Sequence, residues 1–111
     1  MNDLKAAIAA LPDSKCLPAD VSLFWDFLAH LDAACPEIWD KRKKGKTVRA
    51  ARLAWYSEMT GREITKSEQL FGQELYLMSE WFYNDHWGDY AQWCVENAER
   101  IRSMVNEKSE S

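Results

Sequence analysis

The amino-acid sequence predicts an all-α fold, a single-domain helical bundle of five or six helices with a C-terminal helical hairpin. Apolar residues recur at spacings of three and four along most of the chain, which is typical of helices buried on one side. The chain contains only 4 Gly and 3 Pro, which leaves few turn positions for short strands. Its 111 residues are 47% hydrophobic, which suits one core, so residues 1–111 are interpreted as one domain.

Two apolar stripes define the N-terminal part of the chain. The first covers residues 2–11, and with the proline-bounded loop that follows it accounts for residues 1–18. The second runs over residues 21–31 after Asp20, whose carboxylate is placed to accept hydrogen bonds from first-turn amides. Because proline is favoured in a first helical turn, residues 36–39 are predicted to begin a short third helix.

The sharpest change in composition lies in residues 41–52. The segment carries seven cations and no acid, so the net charge of −4 separates into +7 here and −11 elsewhere. Gly45 is predicted to stop a helix, and Thr47 to cap a new one that ends at Gly61. Such a concentration of charge is a candidate docking surface for an anionic partner. The seven candidate binding residues are Lys41, Arg42, Lys43, Lys44, Lys46, Arg49 and Arg52.

Residues 65–105 form the C-terminal pair of predicted helices. The first begins with a capping-box pattern at Thr65–Glu68, and the polar stretch 84–89 interrupts it. An apolar seam then continues over residues 87–105. A single helix over this whole length would measure roughly 60 Å, so a hairpin is preferred, and one kinked helix in a dimer is the alternative. Residues 106–111 are predicted to be a frayed polar tail.

No set of residues typical of catalysis is found. The chain has no GxSxG motif, and its cysteines lie inside apolar patterns. Residues 45–47 match the end of a phosphate-binding loop but lack the upstream glycine and a preceding strand. Asp85, His86 and Asp89 are ligand-type residues, yet acids at a helix start are explained by capping. We therefore expect no enzymatic activity, no catalytic residues, no metal and no cofactor.

The sequence favours a cytoplasmic protein without membrane association. Asp3 lies where a secretory signal would carry basic residues, and the apolar run beside it is short. No apolar run approaches the roughly 18 residues of a membrane-spanning helix. Cys16, Cys35 and Cys94 are odd in number and widely spaced, unlike a disulfide framework.

The six tryptophans divide into two predicted groups. Trp25, Trp55 and Trp87 fall on apolar stripes and are predicted to be core residues. Trp39, Trp81 and Trp93 are harder to place. Trp39 precedes the basic segment and Trp93 lies off the seam, so these two are candidate exposed partner-binding residues, because exposed tryptophan is common at protein-binding hot spots. Packing of both rings against other helices is an alternative that the spacing leaves open.

The leading hypothesis is a small binding protein that acts through protein–protein interaction, as a monomer or homodimer. Its size and lack of catalytic motifs favour an inhibitor, immunity-type factor or adaptor of the kind that bacteria and phages encode. The alternative is a nucleic-acid-binding regulator that uses residues 41–52 to contact phosphates. Helices beginning at Thr47 and Thr65 loosely match a helix-turn-helix, but the second is acidic and would repel phosphate.

Overall fold

The structure is a computed structural model that describes residues 1–11 and 21–110, with side chains except at residues 21–24 and 106–110. No strand occurs in these ranges, and the all-α fold is confirmed. The predicted loop 12–18 and the predicted cap Asp20 lie outside the described residues. The α-helices of the described ranges are α1 (Asn2–Ala9), α2 (Val21–Ala34), α3 (Lys44–Thr60), α4 (Gly72–Trp81), α5 (Trp87–Glu96) and α6 (Ala98–Glu110).

Helix α3 is the centre of the bundle. Every residue from Ala50 to Tyr56 is buried, whereas a helix at the surface would expose a side chain every three or four positions. Helices α1, α2 and α6 pack against it. Three alanines in this stretch let the neighbouring helices approach closely, which explains how one helix is covered on all sides.

Trp55 of α3 joins four helices through its ring. The ring centroids of Phe27, Tyr56, Trp81 and Tyr90 lie 6.4, 6.0, 5.9 and 5.2 Å from that of Trp55. These rings are tilted or edge-on to the indole, the arrangement that aromatic quadrupoles favour. Trp55 is fully buried, so the prediction that it is a core residue is confirmed.

A kinked turn over Phe82–His86 separates α4 from α5. Asn84 (φ −92°, ψ 52°) and Asp85 (φ 63°, ψ 27°) leave the helical conformation there. Aspartate is one of the few residue types that tolerate positive φ without being glycine. Residues 65–105 are therefore not one continuous helix. Helix α4 packs mainly against α1, and α5 mainly against α2.

The predicted single seam over residues 87–105 is divided into two helices at Asn97. This residue has φ −108° and ψ 16°, and its side-chain amide donates to the carbonyl of Trp93 at 2.9 Å. Asparagine side chains compete with helical hydrogen bonds in this way, which accounts for the break. Helix α6 then extends to Glu110 and packs against α3.

The predicted stop at Gly45 and cap at Thr47 are wrong. Helix α3 begins at Lys44 and passes through both residues. The Thr47 hydroxyl is bonded inside the helix, where it donates to the carbonyl of Lys43 at 2.8 Å, instead of capping a new helix.

The helix predicted over residues 36–39 is also absent: the segment is irregular, and it buries the Trp39 side chain. The reciprocal capping box predicted at Thr65–Glu68 is wrong, because Gln69 and not Glu68 accepts from the backbone there. The Gln69 side chain accepts from the Thr65 backbone amide at 2.8 Å, beside the short 3₁₀ helix Ser67–Gln69. Helix α4 starts only at Gly72. At that later start the Glu74 carboxylate accepts from the Phe71 amide at 3.0 Å. No helix of the described ranges is long and apolar enough to cross a bilayer.

Candidate partner-binding surface

The exposed cations of the basic segment gather at the N-terminal end of α3. They occupy the irregular chain before the helix and its first two turns. We call this surface, together with Arg102 of α6, the basic face. Its members from the segment are Lys41, Arg42, Lys43, Lys44, Lys46 and Arg49.

A groove of about 290 Å³ lies within the basic face, lined by Trp39, Asp40, Lys43, Thr47, Arg102 and Val105. Arg102 donates from Nη2 to the carbonyl of Ile38 at 2.9 Å. Its guanidinium carbon lies 5.5 Å from the centroid of the Trp39 ring, which holds the cation in one place. Helix α6, which is distant in the sequence, thereby adds the charge of Arg102 to the basic segment at a fixed position. The sequence around residues 41–52 does not predict this contact.

Among the side chains that the structure describes, two carboxylates border the basic face. Glu37 lies 4.0 Å from the ammonium of Lys44, and the Asp40 side chain accepts from the Arg42 amide at 3.0 Å. All of these residues are exposed, so these contacts contribute little free energy in water. Seven cations beside two acids leave the face with a net positive potential.

Arg52 does not belong to this surface, although the sequence analysis includes it. It is only 7% exposed, and its Nε lies 3.1 Å from the Asp32 carboxylate. Helix α2 covers this side of α3, which explains why the cation is enclosed. Burial raises the pKa of Asp32, and the charge of Arg52 opposes that rise. Burial is also the main cause of the raised pKa of Tyr56 on the same helix.

Replacing Arg52 with alanine is expected to lower the free energy of unfolding by about 1–3 kcal/mol, because a half-buried carboxylate loses its cation and packed side-chain atoms are removed. Replacing Arg49 with alanine, one helical turn away and exposed, is expected to change it by less than about 0.5 kcal/mol. Urea unfolding of both variants measures the difference. Equal losses would contradict the assignment of Arg52 to the interior.

The predicted exposure of Trp39 and Trp93 is wrong. They are 7% and 6% exposed. Trp39 packs beneath Arg102, whereas the indole N–H of Trp93 donates to the Glu58 carboxylate and its ring faces Tyr90 at 6.5 Å. Both rings pack against other elements of the bundle, which is the alternative that the spacing left open.

Trp25 and Trp87, which the sequence analysis assigns to the core, are 59% and 61% exposed. Within residues 25–34 of α2, the buried residues are Phe27 and Leu31. At 3.6 residues per turn, Trp25 lies roughly 160° around the helix from Phe27, on the side away from the core. Trp87 is the first residue of α5 and follows the kinked turn directly. The prediction from apolar spacing that Trp25 and Trp87 lie in the core is therefore wrong.

A second, acidic cleft of about 500 Å³ lies near the other end of α3. Glu58, Asp89 and Glu96 contribute its carboxylates. Lys5 lies 3.7 Å from Glu58, and the His86 ring lies 2.7 Å from Asp89. His86 also stacks on the Trp81 ring at 4.5 Å. Among the described residues no group of three or more His, Cys, Asp or Glu side chains is placed to hold a metal ion.

A polar cluster joins α2 to the kinked turn. The Tyr83 hydroxyl donates to Asp26 at 3.3 Å and lies 3.0 Å from Nδ1 of His30. Partial burial and the charge of Asp26 raise the pKa of Tyr83 to about 12. The phenol consequently stays protonated at neutral pH, where it serves as a hydrogen-bond donor and not as a nucleophile.

No family model, curated protein or solved structure matches the chain. Two surfaces of the described residues are therefore compared as candidate binding sites, the basic face and the acidic cleft. The basic face combines exposed charge, a groove and a positioned arginine from a second element. In the acidic cleft, by contrast, Lys5 and His86 already contact two of the three carboxylates.

Proposed function

We propose that the protein is a non-enzymatic cytoplasmic binding protein, of the inhibitor, immunity-type or adaptor kind, that docks an acidic surface of another protein on its basic face. One observation carries this proposal: six exposed cations of residues 41–49 lie at the N-terminal end of α3, where one of them, Lys43, lines a groove together with Arg102. Opposite charge on a partner would speed encounter and select against basic competitors.

Arg102 and Lys43 are the residues that would receive a partner carboxylate. A guanidinium donates two parallel hydrogen bonds to a carboxylate, and such bonds are about twice as strong as neutral ones. The contacts of Arg102 with the Ile38 carbonyl and the Trp39 ring fix its position before binding. A partner therefore meets an ordered cation and loses less side-chain entropy on association.

The form of the groove favours a protein over nucleic acid. Trp39 is buried beneath Arg102, so its ring is not available for base stacking, a main source of affinity for single strands. Among the residues that line the groove, Lys43 and Arg102 are the cations, which are too few for a row of phosphate contacts. A short groove of mixed polarity suits individual acidic side chains.

The charge-reversed variant Lys46→Glu/Arg49→Glu is expected to lose the partner. The immobilised wild-type protein is incubated with nuclease-treated extract of its native cell, and captured proteins are identified by mass spectrometry. Lys66→Glu/Arg100→Glu has the same change in net charge on other exposed positions and serves as the matched control. We expect a protein captured by wild type and control, with at least about tenfold weaker affinity for the charge-reversed variant.

Nucleic acid remains the second candidate because the same exposed cations suit phosphates. Labelled duplex and single-stranded DNA and RNA are titrated with wild type and the charge-reversed variant at low and moderate salt. Affinity that is about micromolar or tighter, steeply salt-dependent and lost in the variant would replace the protein-binding proposal. Absence of binding at low salt would eliminate the second candidate.

A further inference from the structure

Two thiols lie beneath the basic face. Cys35 follows α2 and is half-buried, whereas Cys94 on α5 is fully buried. The two side chains adjoin each other, and Tyr90 and Trp39 also reach Cys35. Helices α2 and α5 pack together, which brings into contact two residues far apart in the sequence.

We propose that Cys35 is an oxidation site for hydroperoxides, that Cys94 resolves the oxidised thiol into a disulfide, and that this disulfide weakens binding at the basic face. The effect of the disulfide on binding rests on the proposed function of the basic face. Oxidation of Cys35 and formation of the disulfide do not depend on it.

The two cysteines differ in a way that assigns their roles. Interaction with the Cys94 thiol is the main cause that lowers the pKa of Cys35, and it outweighs the opposing effect of burial. The same interaction, with burial, raises the pKa of Cys94. Cys35 is also the member with access to solvent. Because Cys35 is the cysteine that an oxidant in solution can reach and Cys94 is enclosed, Cys35 attacks the oxidant and Cys94 acts in the second step.

The chemistry consists of two balanced steps. The Cys35 thiol releases its proton to solvent, its sulfur attacks one oxygen of hydrogen peroxide, and the O–O bond breaks. Cys35 becomes a sulfenic acid, and the departing hydroxide takes up a proton from solvent and leaves as one water. The Cys94 sulfur then attacks the Cys35 sulfur, and the S–O bond breaks. The sulfenic hydroxyl departs with the Cys94 proton as a second water. Two thiols lose two electrons in total, and the peroxide is reduced to two waters.

Trp39 connects the thiol pair to the groove. Its buried indole N–H has no hydrogen-bond acceptor among the described residues, and the Cys35 side chain is a polar group beside it. The ring of the same residue lies under Arg102. A disulfide would draw Cys35 toward α5 and remove the thiol beside the indole. We expect Trp39 to move and Arg102 to lose its fixed position.

Mass spectrometry of the full chain tests the oxidation site. Reduced wild-type protein treated with hydrogen peroxide is expected to lose two hydrogens and to yield a linked peptide pair containing Cys35 and Cys94. Cys16→Ser should behave as wild type. In Cys94→Ser, or Cys94→Ala if serine prevents folding, a cyclic-dione probe should label a sulfenic acid on Cys35. Oxidation of methionine alone, or a disulfide that involves Cys16, would overturn the proposal.

Binding of poly-L-glutamate, measured separately, tests the link to the basic face. Oxidation is expected to weaken this binding about threefold or more, and dithiothreitol to restore it. Cys35→Ser should bind equally with and without peroxide. Equal binding by reduced and disulfide-bonded wild type would overturn the link. If polyglutamate binds neither state while the disulfide still forms, the proposed function fails and the oxidation site stands.

Discussion

Replacing Arg62 with methionine should lower the free energy of unfolding by about 3–5 kcal/mol, because it removes the countercharge of a completely buried carboxylate. Glu74 has 0% exposure, and both of its oxygens accept from the Arg62 guanidinium, one of them at 2.8 Å. The hydrogen bond with Glu74 is the main cause that raises the pKa of Arg62. The pair ties the chain beyond α3 to the first turn of α4.

Two further contacts of Arg62 strengthen this expectation. Its Nη2 donates to the Gln69 carbonyl at 2.9 Å, and its guanidinium lies 5.0 Å from the centroid of the Phe71 ring. Arg62→Lys keeps the charge but not the two-pronged geometry, so we expect an intermediate loss. Glu74→Gln should cost less than Arg62→Met, because no charge is left in the interior. Urea unfolding gives this order, and a loss below about 1 kcal/mol for Arg62→Met would refute the argument.

Replacing Trp55 with alanine is the second substitution with a large expected effect, a loss of about 3–5 kcal/mol. The side chain is fully buried, and its ring contacts aromatic residues of α2, α3, α4 and α5. The cavity left behind would be lined by rigid rings that cannot easily collapse into it.

Trp87→Ala is the matched control, since it removes the same side chain from a position that is 61% exposed. Its expected effect is below about 0.5 kcal/mol. Denaturant unfolding followed by circular dichroism compares the two variants without relying on tryptophan fluorescence. Comparable losses at the two positions would mean that Trp87 contributes to packing that its exposure does not indicate.

The spacing of apolar residues was sufficient to predict the all-α fold, but not every helix boundary and not which sides of the helices are covered. Periodicity identifies which residues share one side of a helix, and the all-α fold follows from it. It does not say which sides are covered. Trp25 and Trp39 illustrate the limit, because the first lies on an apolar stripe yet faces solvent, and the second lies in an irregular segment yet is buried.

The candidate surface was predictable to the extent that it is local in sequence. Six of the seven cations of residues 41–52 are exposed. Arg52 is enclosed because α2 covers it, and Arg102 joins the groove because α6 packs on α3. Both differences come from contacts between helices distant in the chain. Likewise, the widely spaced Cys35 and Cys94 give no sign in the sequence that they are neighbours.

The start of α3 at Lys44 places like charges at an electrically unfavourable position. The aligned peptide dipoles of a helix make its N-terminus positive, and each exposed cation there costs about 0.3–1 kcal/mol. Lys43, Lys44 and Lys46 occupy this end, and the first turn contains no acid. An anionic partner would offset the repulsion between these lysines and the helix dipole, and would stabilise the first turn of α3. Part of the binding free energy would then come from removing this unfavourable electrostatic interaction of the unbound protein.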